Sequence, residues 1–360
     1  MSRDRWIIVG VVVLAVLGFL VWKQAEKDKK LGTTGPVAAS SADFPVISSP
    51  DDVDKIVIKD GKKAEVVLEK KDDKWSLTAP VAAPASQQAV KELVTNLGTL
   101  KVKEQVVMTL DDEVKKAKHL DADQALHVTA YKGSEKKTDI FAGTTGALGQ
   151  LMMVAGKDNL VYATSGFSSY LYTKEPKDFR DKEVLKFDEG TVVGIAIENK
   201  GAGDAGAPAS FSFTKGEKDW GATYKGKAID RFDEQRAKDL LKDLHAVNAE
   251  DFGDGKPGSE TGLDSPEATI TISFKDNAPK VVLKIGKPAA NGTSRYAMKD
   301  GNPTIFVIGK PTADWGLAEL AKFQRPLDAG APDAGKGDAA AAGSGFPKPL
   351  AVPGMPPGHP

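Results

Sequence analysis

Two stretches of the chain, "KWSLTAPVAAPASQQAVKELVTNLGTL" (74–100) and "DWGATYKGKAIDRFDEQRAKDLLKDLHAV" (219–247), follow one design. In each, a tryptophan on a short strand-like run precedes a segment whose apolar residues recur at i, i+3, i+4 and i+7. This spacing predicts a helix with one buried stripe. We expect Trp75 and Trp220 to cover the stripes while the neighbouring charges stay in solvent. The alternative is an exposed ring that stacks on a sugar or peptide.

The two predicted helices can be assigned residue by residue. Ser86 and Asp230 are the expected N-caps, because a short polar side chain accepts hydrogen bonds from the free N–H groups of the first turn. The predicted stripe positions are Val90, Leu93, Val94, Leu97 and Leu100 in the first helix, and Ala237, Leu240, Leu241, Leu244 and Val247 in the second.

The repetition extends beyond these stretches. Trp75 and Trp220 are 145 positions apart, and Gly143 and Gly286, each ending a short apolar run, are 143 apart. Solenoid repeats have periods of about 20 to 50 residues, so this longer period indicates a tandem duplication of a domain-sized unit. An extra loop at 201–209 lengthens the second copy.

Each unit is expected to be a mainly antiparallel sheet with one amphipathic helix, which is an α+β fold. A hairpin at 55–70 and the run around Trp75 come before the first helix, with four strands after it. Connections of two to six residues leave no room for parallel crossovers. The strands predicted after the helices lie near 125–131, 137–142, 150–155 and 159–163, with counterparts near 268–274, 280–285, 294–299 and 304–308.

The segment "WIIVGVVVLAVLGFLVW" (Trp6–Trp22) has 17 residues without a charge. As a helix it is about 25 Å long, close to the roughly 30 Å hydrocarbon core of a bilayer. Trp6 and Trp22 stand at its ends, where indole rings favour the headgroup region. A single transmembrane anchor is therefore expected. The alternatives are a buried core helix or a signal peptide, although no small-residue cleavage site follows.

Membrane orientation is not decided by the positive charges. Two arginines precede the segment and four lysines follow it within 23–30, so the charge count does not favour an inside N-terminus. A long polar domain behind one N-terminal anchor is nevertheless the usual layout of an exported protein. The expected location is the inner membrane, with the body in the periplasm.

The patterns divide the chain into six segments. A Gly/Ser/Pro/Ala spacer has little to bury and is expected to be flexible, and the C-terminal Ala/Gly/Pro tail is expected to be disordered. The predicted segments are an N-terminal tail (1–5), the anchor (6–22), a flexible linker (23–50), a first unit (51–188), a second unit (189–327) and the disordered tail (328–360).

Composition excludes several classes of chemistry. The formal net charge is -1, which gives no cationic field for nucleic acid. Cysteine is absent, so there is no thiolate nucleophile and no Cys-ligated metal. None of the four histidines belongs to a metal-binding pattern, so no metal or cofactor is expected. These histidines are His119, His127, His245 and His359.

Three short segments imitate functional motifs. "DFG" (251–253) imitates a magnesium motif but lacks the accompanying kinase signatures, so a loop is expected. "GTTGALG" (143–149) lacks a G-K-[ST] ending and is expected to be a hairpin loop. The acidic run at 111–113 is expected to complement a helix N-terminus.

The layout of the whole chain resembles one known family. It has an N-terminal apolar segment, a W-x-L-x-x-P pattern at 75–80 before an amphipathic helix, and "FRDKEVLKF" (179–187) between two β-rich units. This resembles the DUF4340 family of bacterial envelope proteins. The resemblance implies an unknown function, and genes for some members lie beside ABC transporters of the gliding-motility auxiliary type. No catalytic residue is implied.

The expected function is therefore binding or scaffolding rather than catalysis. The expected partners are the lipid bilayer and a membrane protein complex, for which an ABC-type transporter is one candidate. The alternatives are an envelope hydrolase that uses carboxylates, and a structural spacer that reaches the cell wall. A hydrolase would bring two or three carboxylates together in one cleft.

Overall fold

The fold is given by a computed structural model of the chain. The segments that it describes are 49–157, 160–201 and 208–326, together with 34–37, Phe19, Phe44 and Ile47. The segments predicted to be an N-terminal tail (1–5), a disordered tail (328–360) and, except for Phe19, an anchor (6–22) lie outside these residues, so those predictions stay predictions. Within the described residues, every helix is too short or too polar to cross a bilayer.

A first antiparallel sheet is built from the N-terminal half of the described chain, in the order β1-β6-β10-β9-β8-β7-β2-β3-β4-β5. Its strands are β1 (Thr34–Val37), β2 (Lys55–Asp60), β3 (Val66–Lys71), β4 (Lys74–Ala79), β5 (Ala83–Pro84), β6 (Lys101–Val107), β7 (Leu126–Lys132), β8 (Glu135–Gly146), β9 (Gly149–Val154) and β10 (Val161–Ser165).

A strand pair and a second antiparallel sheet follow. The pair joins β11 (Glu183–Lys186) to β16 (Ala246–Asn248). The strands of the second sheet are β12 (Val192–Asn199), β13 (Ala209–Lys215), β14 (Trp220–Tyr224), β15 (Lys227–Ala228), β17 (Asp251–Phe252), β18 (Ala268–Phe274), β19 (Val281–Pro288), β20 (Arg295–Lys299) and β21 (Phe306–Ile308).

The two sheets have the same strand order. From one edge the first runs β5-β4-β3-β2-β7-β8-β9-β10-β6, with β1 added beyond β6, and the second runs β15-β14-β13-β12-β18-β19-β20-β21-β17. The predicted α+β class with antiparallel sheets is confirmed, and each strand predicted after a helix is present within a few residues. The strand β6 was not predicted, because its sequence "KVKEQVV" carries charges where an apolar face would be expected.

Five α-helices are present in the described part of the chain. They are α1 (Gln87–Thr99), α2 (Asp112–Ala117), α3 (Glu234–Leu244), α4 (Gly258–Thr261) and α5 (Lys310–Gly316). All ten predicted stripe positions are buried, although Leu100 is the C-cap of α1 and Val247 belongs to β16. One core lies under each sheet, and the stripe of α1 or α3 faces it.

One of the two predicted N-caps is correct. Ser86 Oγ accepts a hydrogen bond from the backbone N–H of Ala89. Asp230 is not the cap of α3; Asp233 takes that role and accepts from the backbone N–H of Gln235. Helix α3 starts later than predicted because the backbone N–H of Asp233 donates a hydrogen bond to the carbonyl of Phe323. This hydrogen bond holds the residues before Asp233 outside the helix.

Trp75 and Trp220 occupy equivalent buried places, on β4 and β14. Their side chains are 9% and 7% exposed, so the prediction of core packing is confirmed. The backbone of Trp75 is held at both ends by the first residue of α1: its N–H donates to Gln87 Oε1, and Gln87 Nε2 donates to its carbonyl. In the second unit the N–H of Trp220 donates to the carboxylate of Glu234, the first residue of α3.

Gly143 and Gly286 mark equivalent close approaches. They lie on β8 and β19. A Cβ atom on Gly143 would lie 2.3 Å from the carbonyl oxygen of Lys118, and one on Gly286 would lie 2.1 Å from that of Thr261. Both carbonyls belong to the ends of short helices, α2 and α4. Glycine at each position therefore lets a helix end rest directly on the sheet.

Residues predicted to form a flexible linker (23–50) take part in the first unit. Phe44 and Ile47 are buried in the core of the first sheet, and β1 pairs with β6. The prediction of a flexible tether is wrong at these positions. The reason is that "DFPVI" (43–47) supplies apolar side chains that a Gly/Ser/Pro/Ala average conceals.

Trp75→Ala is expected to lower the free energy of unfolding by about 3 to 5 kcal/mol, because it truncates a buried aromatic side chain. Trp220→Ala is expected to lie in the same range. Urea unfolding followed by circular dichroism measures both. Tyr170 is 73% exposed and provides the control; Tyr170→Ala should change stability by no more than about 0.5 kcal/mol. An unchanged transition for Trp75→Ala would contradict its role in the core.

Candidate functional site

His127 is the one predicted candidate that the described residues surround with polar groups. It lies on the outer face of the first sheet, with its Nε2 atom 2.7 Å from Asp139 Oδ1 on the neighbouring strand β8. The hydroxyl of Thr129 lies 3.3 Å from the same Nε2 atom. The ring of Phe141 stacks on the imidazole at 4.1 Å. A hydroxyl, an imidazole and a carboxylate therefore meet here.

This cluster does not have the geometry of a nucleophilic triad. A triad needs the carboxylate on one ring nitrogen and the hydroxyl on the other. In this cluster both groups contact Nε2 of His127. The second carboxylate oxygen of Asp139 accepts a hydrogen bond from Lys136 at 2.6 Å. The arrangement is that of an ion cluster that ties β7 to β8.

Asp139 has a lowered pKa for a reason visible in the cluster. Burial by itself would raise the pKa of this carboxyl, but the hydrogen bonds from Lys136 and His127 outweigh burial and lower it. The carboxyl is therefore held ionised, as a hydrogen-bond acceptor rather than an acid that can donate a proton.

The other predicted candidates lie apart from one another. His119 sits in the turn after α2, and His245 is the C-cap of α3, 3.3 Å from Glu189. His359 is outside the described residues. Asp111 caps α2, with its Oδ1 atom accepting from the backbone N–H of Val114, as the sequence predicts. In the segments that the structure describes, no three His, Asp or Glu side chains form a group that could hold a metal ion.

The two glycine-containing motif mimics are structural. The segment 143–149 spans the hairpin of β8 and β9, as predicted, but the loop is only residues 147–148, because 143–146 belong to β8 and Gly149 begins β9. The segment 251–253 is not only a loop, because Asp251 and Phe252 form β17 and pair with β21. This prediction failed because a two-residue strand depends on its distant partner and leaves no periodic pattern.

The junction between the two units is built around Arg180, from the "FRDKEVLKF" stretch (179–187). Arg180 is 5% exposed, and its Nη1 atom donates to the carboxylate of Asp254 in the second unit. Its guanidinium group lies 3.5 Å from the ring centroid of Phe252. An ion pair and a cation–π contact therefore join residues that are more than 70 positions apart.

Strand pairing reinforces the same junction. β11 pairs with β16, and its residues Val184 and Leu185 are buried in the core of the second sheet. The backbone N–H of Ala249 donates to the carbonyl of Lys182, and Ala85 forms a bridge with Arg180. The junction is thus continuous with both units.

A basic concavity of about 470 Å³ lies in the second unit. It is formed between the start of α3 and the chain that follows the 3-10 turn at Leu320–Phe323. Its charged lining consists of Arg231, Asp233, Arg236, Lys322 and Arg325. Sequence patterns did not reveal it, because its two walls come from segments 94 positions apart.

Comparison with known proteins assigns the chain to a family. The model described as "Domain of unknown function (DUF4340)" matches residues 75–266 and 254–326. These matches span most of the chain, so the protein belongs to the DUF4340 family. No curated protein and no solved structure matches it. The resemblance seen in the sequence is confirmed at the level of the family, which assigns no role to any residue.

Asp139→Asn is expected to reduce the loss of stability in acid. A carboxyl with a lowered folded-state pKa contributes stability that is present above the unfolded value of about 3.9 and is lost as the pH falls through the folded value. Urea unfolding at several pH values between about 2 and 6 measures this. The exposed Asp123 is the control, since Asp123→Asn should leave the acid profile unchanged. An Asp139→Asn profile that matches the wild type would contradict the assignment.

Arg180→Ala is expected to lower the free energy of unfolding by about 2 to 4 kcal/mol, because it removes a charged hydrogen bond and a ring contact at a buried site. Lys177 provides the matched control, since its ion pair with Asp251 is largely exposed. Lys177→Ala should cost no more than about 1 kcal/mol. Equal effects of the two substitutions on urea unfolding would show that the junction does not depend on Arg180.

Proposed function

We propose that the chain is a membrane-anchored extracytoplasmic binding or scaffolding protein that works with a membrane complex, for which an ABC-type transporter is a candidate. Its body is proposed to face the periplasm, with Trp6 and Trp22 at the ends of the anchor. The observation that carries the proposal is the junction at Arg180, because a scaffold must hold its binding surfaces in a fixed relation.

A tandem duplication is the proposed origin of the two units. The strand order that the two sheets share apart from β1 supports it, as do the equivalent places of Trp75 and Trp220 and of Gly143 and Gly286. The ion pair of Arg180 with Asp254 and the pairing of β11 with β16 couple the two copies directly. Duplicated units that are joined in this way form one body with two related surfaces.

Both outer faces carry ion pairs, but small hydroxyl side chains are concentrated on the second, which favours binding of different surfaces. The first carries charges, including the cross-strand pair of Lys55 and Glu69 at 2.8 Å. The second is formed on β13 and β18 by small hydroxyl side chains that alternate with buried Phe and Ile residues. These side chains are Ser210, Ser212, Thr214, Thr269, Thr271 and Ser273. A duplication that kept the core and changed the outer faces fits a protein that presents two surfaces.

The location is tested by fractionation and protease accessibility. The full chain with a C-terminal tag is expected to stay in the membrane pellet after a carbonate wash, because the apolar segment 6–22 would hold it in the bilayer. Protease added to intact spheroplasts is expected to degrade the chain beyond Lys30, because the body would be exposed outside the inner membrane. Protection in intact spheroplasts, with digestion only after lysis, would place the body in the cytoplasm and overturn the proposal.

The binding role is tested on the same material after mild solubilisation. A scaffold is expected to retain a membrane protein through affinity purification, and Arg180→Ala is expected to reduce the retained amount while Lys177→Ala does not. A chain that is correctly located yet purifies alone would contradict the scaffolding role and leave the location intact.

A further inference from the structure

The basic concavity of the second unit has an excess of positive charge. Arg231, Arg236, Lys322 and Arg325 contribute four positive charges to its lining and Asp233 contributes one negative charge. The carboxylates of Asp230 and Asp239 lie 3.8 Å from the arginines, so the cations exceed the carboxylates by one. The whole chain has a formal net charge of -1. This concentration of cations at one place therefore does not follow from the overall composition.

The walls of the concavity are fixed by the backbone. Arg231 Nη1 donates to the carbonyl of Arg325 at 2.7 Å, and the backbone N–H of Arg325 donates to the carbonyl of Arg231 at 2.9 Å. Phe232 and Gln324 form an isolated bridge between the same two segments. The cations are thus brought together by a formed structure, so a ligand would not have to order the chain.

The arginines keep donor capacity for a ligand. The carboxylates nearest to Arg231 and Arg236, those of Asp230 and Asp239, lie 3.8 Å away, beyond hydrogen-bond distance. The side chain of Arg236 is 51% exposed. A planar guanidinium group with unused N–H groups is the side chain best suited to grip a carboxylate or phosphate at two points.

Lys322 forms the least exposed part of the cationic lining. Its Nζ atom lies 3.9 Å from the ring centroid of Trp315 and donates to the carbonyl of Asp314. Burial lowers the pKa of Lys322; the carboxylate of Asp314 opposes this shift, and the positive charges of Arg236 and Lys310 add to it. A bound anion would offset that repulsion.

The shared fold of the two units does not require this charge. Arg236 stands three residues after its N-cap, Asp233; the residue three after the first N-cap, Ser86, is Ala89. The concavity beside α1 is lined by polar residues with one cation, Lys91, and one anion, Glu92. The N-terminus of α3 adds a favourable dipole for anions, which α1 has as well. The higher positive charge beside α3 therefore comes from its side chains and not from the shared backbone fold.

We propose that the basic concavity of the second unit is a binding site for a small ligand that carries a phosphate group or several carboxylates. Its volume lies within the range of about 300 to 1,000 Å³ that is usual for small-molecule sites. Three arginines and a lysine would contact the anion, with Arg236 and Arg325 as the more accessible contacts.

Isothermal titration calorimetry on the full chain in non-ionic detergent tests the proposal. The probes are inorganic pyrophosphate, glycerol 3-phosphate and citrate, at low ionic strength. They represent a free phosphate compound, a lipid headgroup fragment and a polycarboxylate. The order of their binding affinities therefore identifies the class of anion that the site prefers. Binding of at least one probe is expected, with an affinity that falls as salt is added.

In the variant Arg236→Gln/Arg325→Gln, the affinity for the probe that binds best is expected to fall by at least about tenfold for each arginine removed, because two charge-assisted contacts are lost. The matched control, Lys91→Gln/Lys116→Gln, removes two positive charges from helices of the first unit and should bind as the wild type does. Circular dichroism verifies that both variants fold. The proposal is overturned if no probe binds, or if the arginine variant binds as tightly as the control. Neither result bears on membrane location.

Discussion

The hydrogen bonds between the tryptophan strand and the first residue of the following helix hold each unit in register. In the first unit, Gln87 can both donate and accept, so it holds the backbone of Trp75 at two atoms. In the second, Glu234 can only accept, and Lys238 supplies the balancing charge and lowers its pKa. Once the start of the helix is fixed against the strand, the apolar stripe must face the sheet, and the ring beside it is enclosed.

Sequence patterns were sufficient to predict the elements in which buried and exposed residues alternate at a short, regular spacing. The stripes of α1 and α3, the alternating strands and the two buried tryptophans each leave a local signal, because solvent exposure alternates with every turn or residue. The cap of α3 was misplaced by three residues because Asp230 and Asp233 are equally suitable by type. Only the backbone hydrogen bond from Asp233 to Phe323, 90 positions later, distinguishes them.

The possible functional groups depend on contacts between distant segments, so the sequence could not reveal them. Asp139 contacts His127 because of the register of the β7–β8 hairpin. Arg180 binds Asp254 across the junction of the two units. Arg231 binds the carbonyl of Arg325, which follows the 3-10 turn at Leu320–Phe323. None of these pairs has a spacing that marks a motif. The family relationship gives no residue a role. The differences between the two copies are therefore the most informative guide to function in this chain.

The placement of β11 limits how the chain can be divided. Val184 and Leu185 precede the second sheet in the sequence, yet they are buried in its core. A cut after residue 188 would strip two apolar side chains from that core, each with a burial free energy of about 1.5 to 3 kcal/mol. The second half therefore cannot be exchanged between relatives at the apparent repeat boundary, because its core needs Val184 and Leu185 from before that boundary, whereas the core of the first sheet ends with Phe179. A division that preserves both cores would have to fall between Phe179 and Glu183, several residues before the boundary that the sequence comparison indicates.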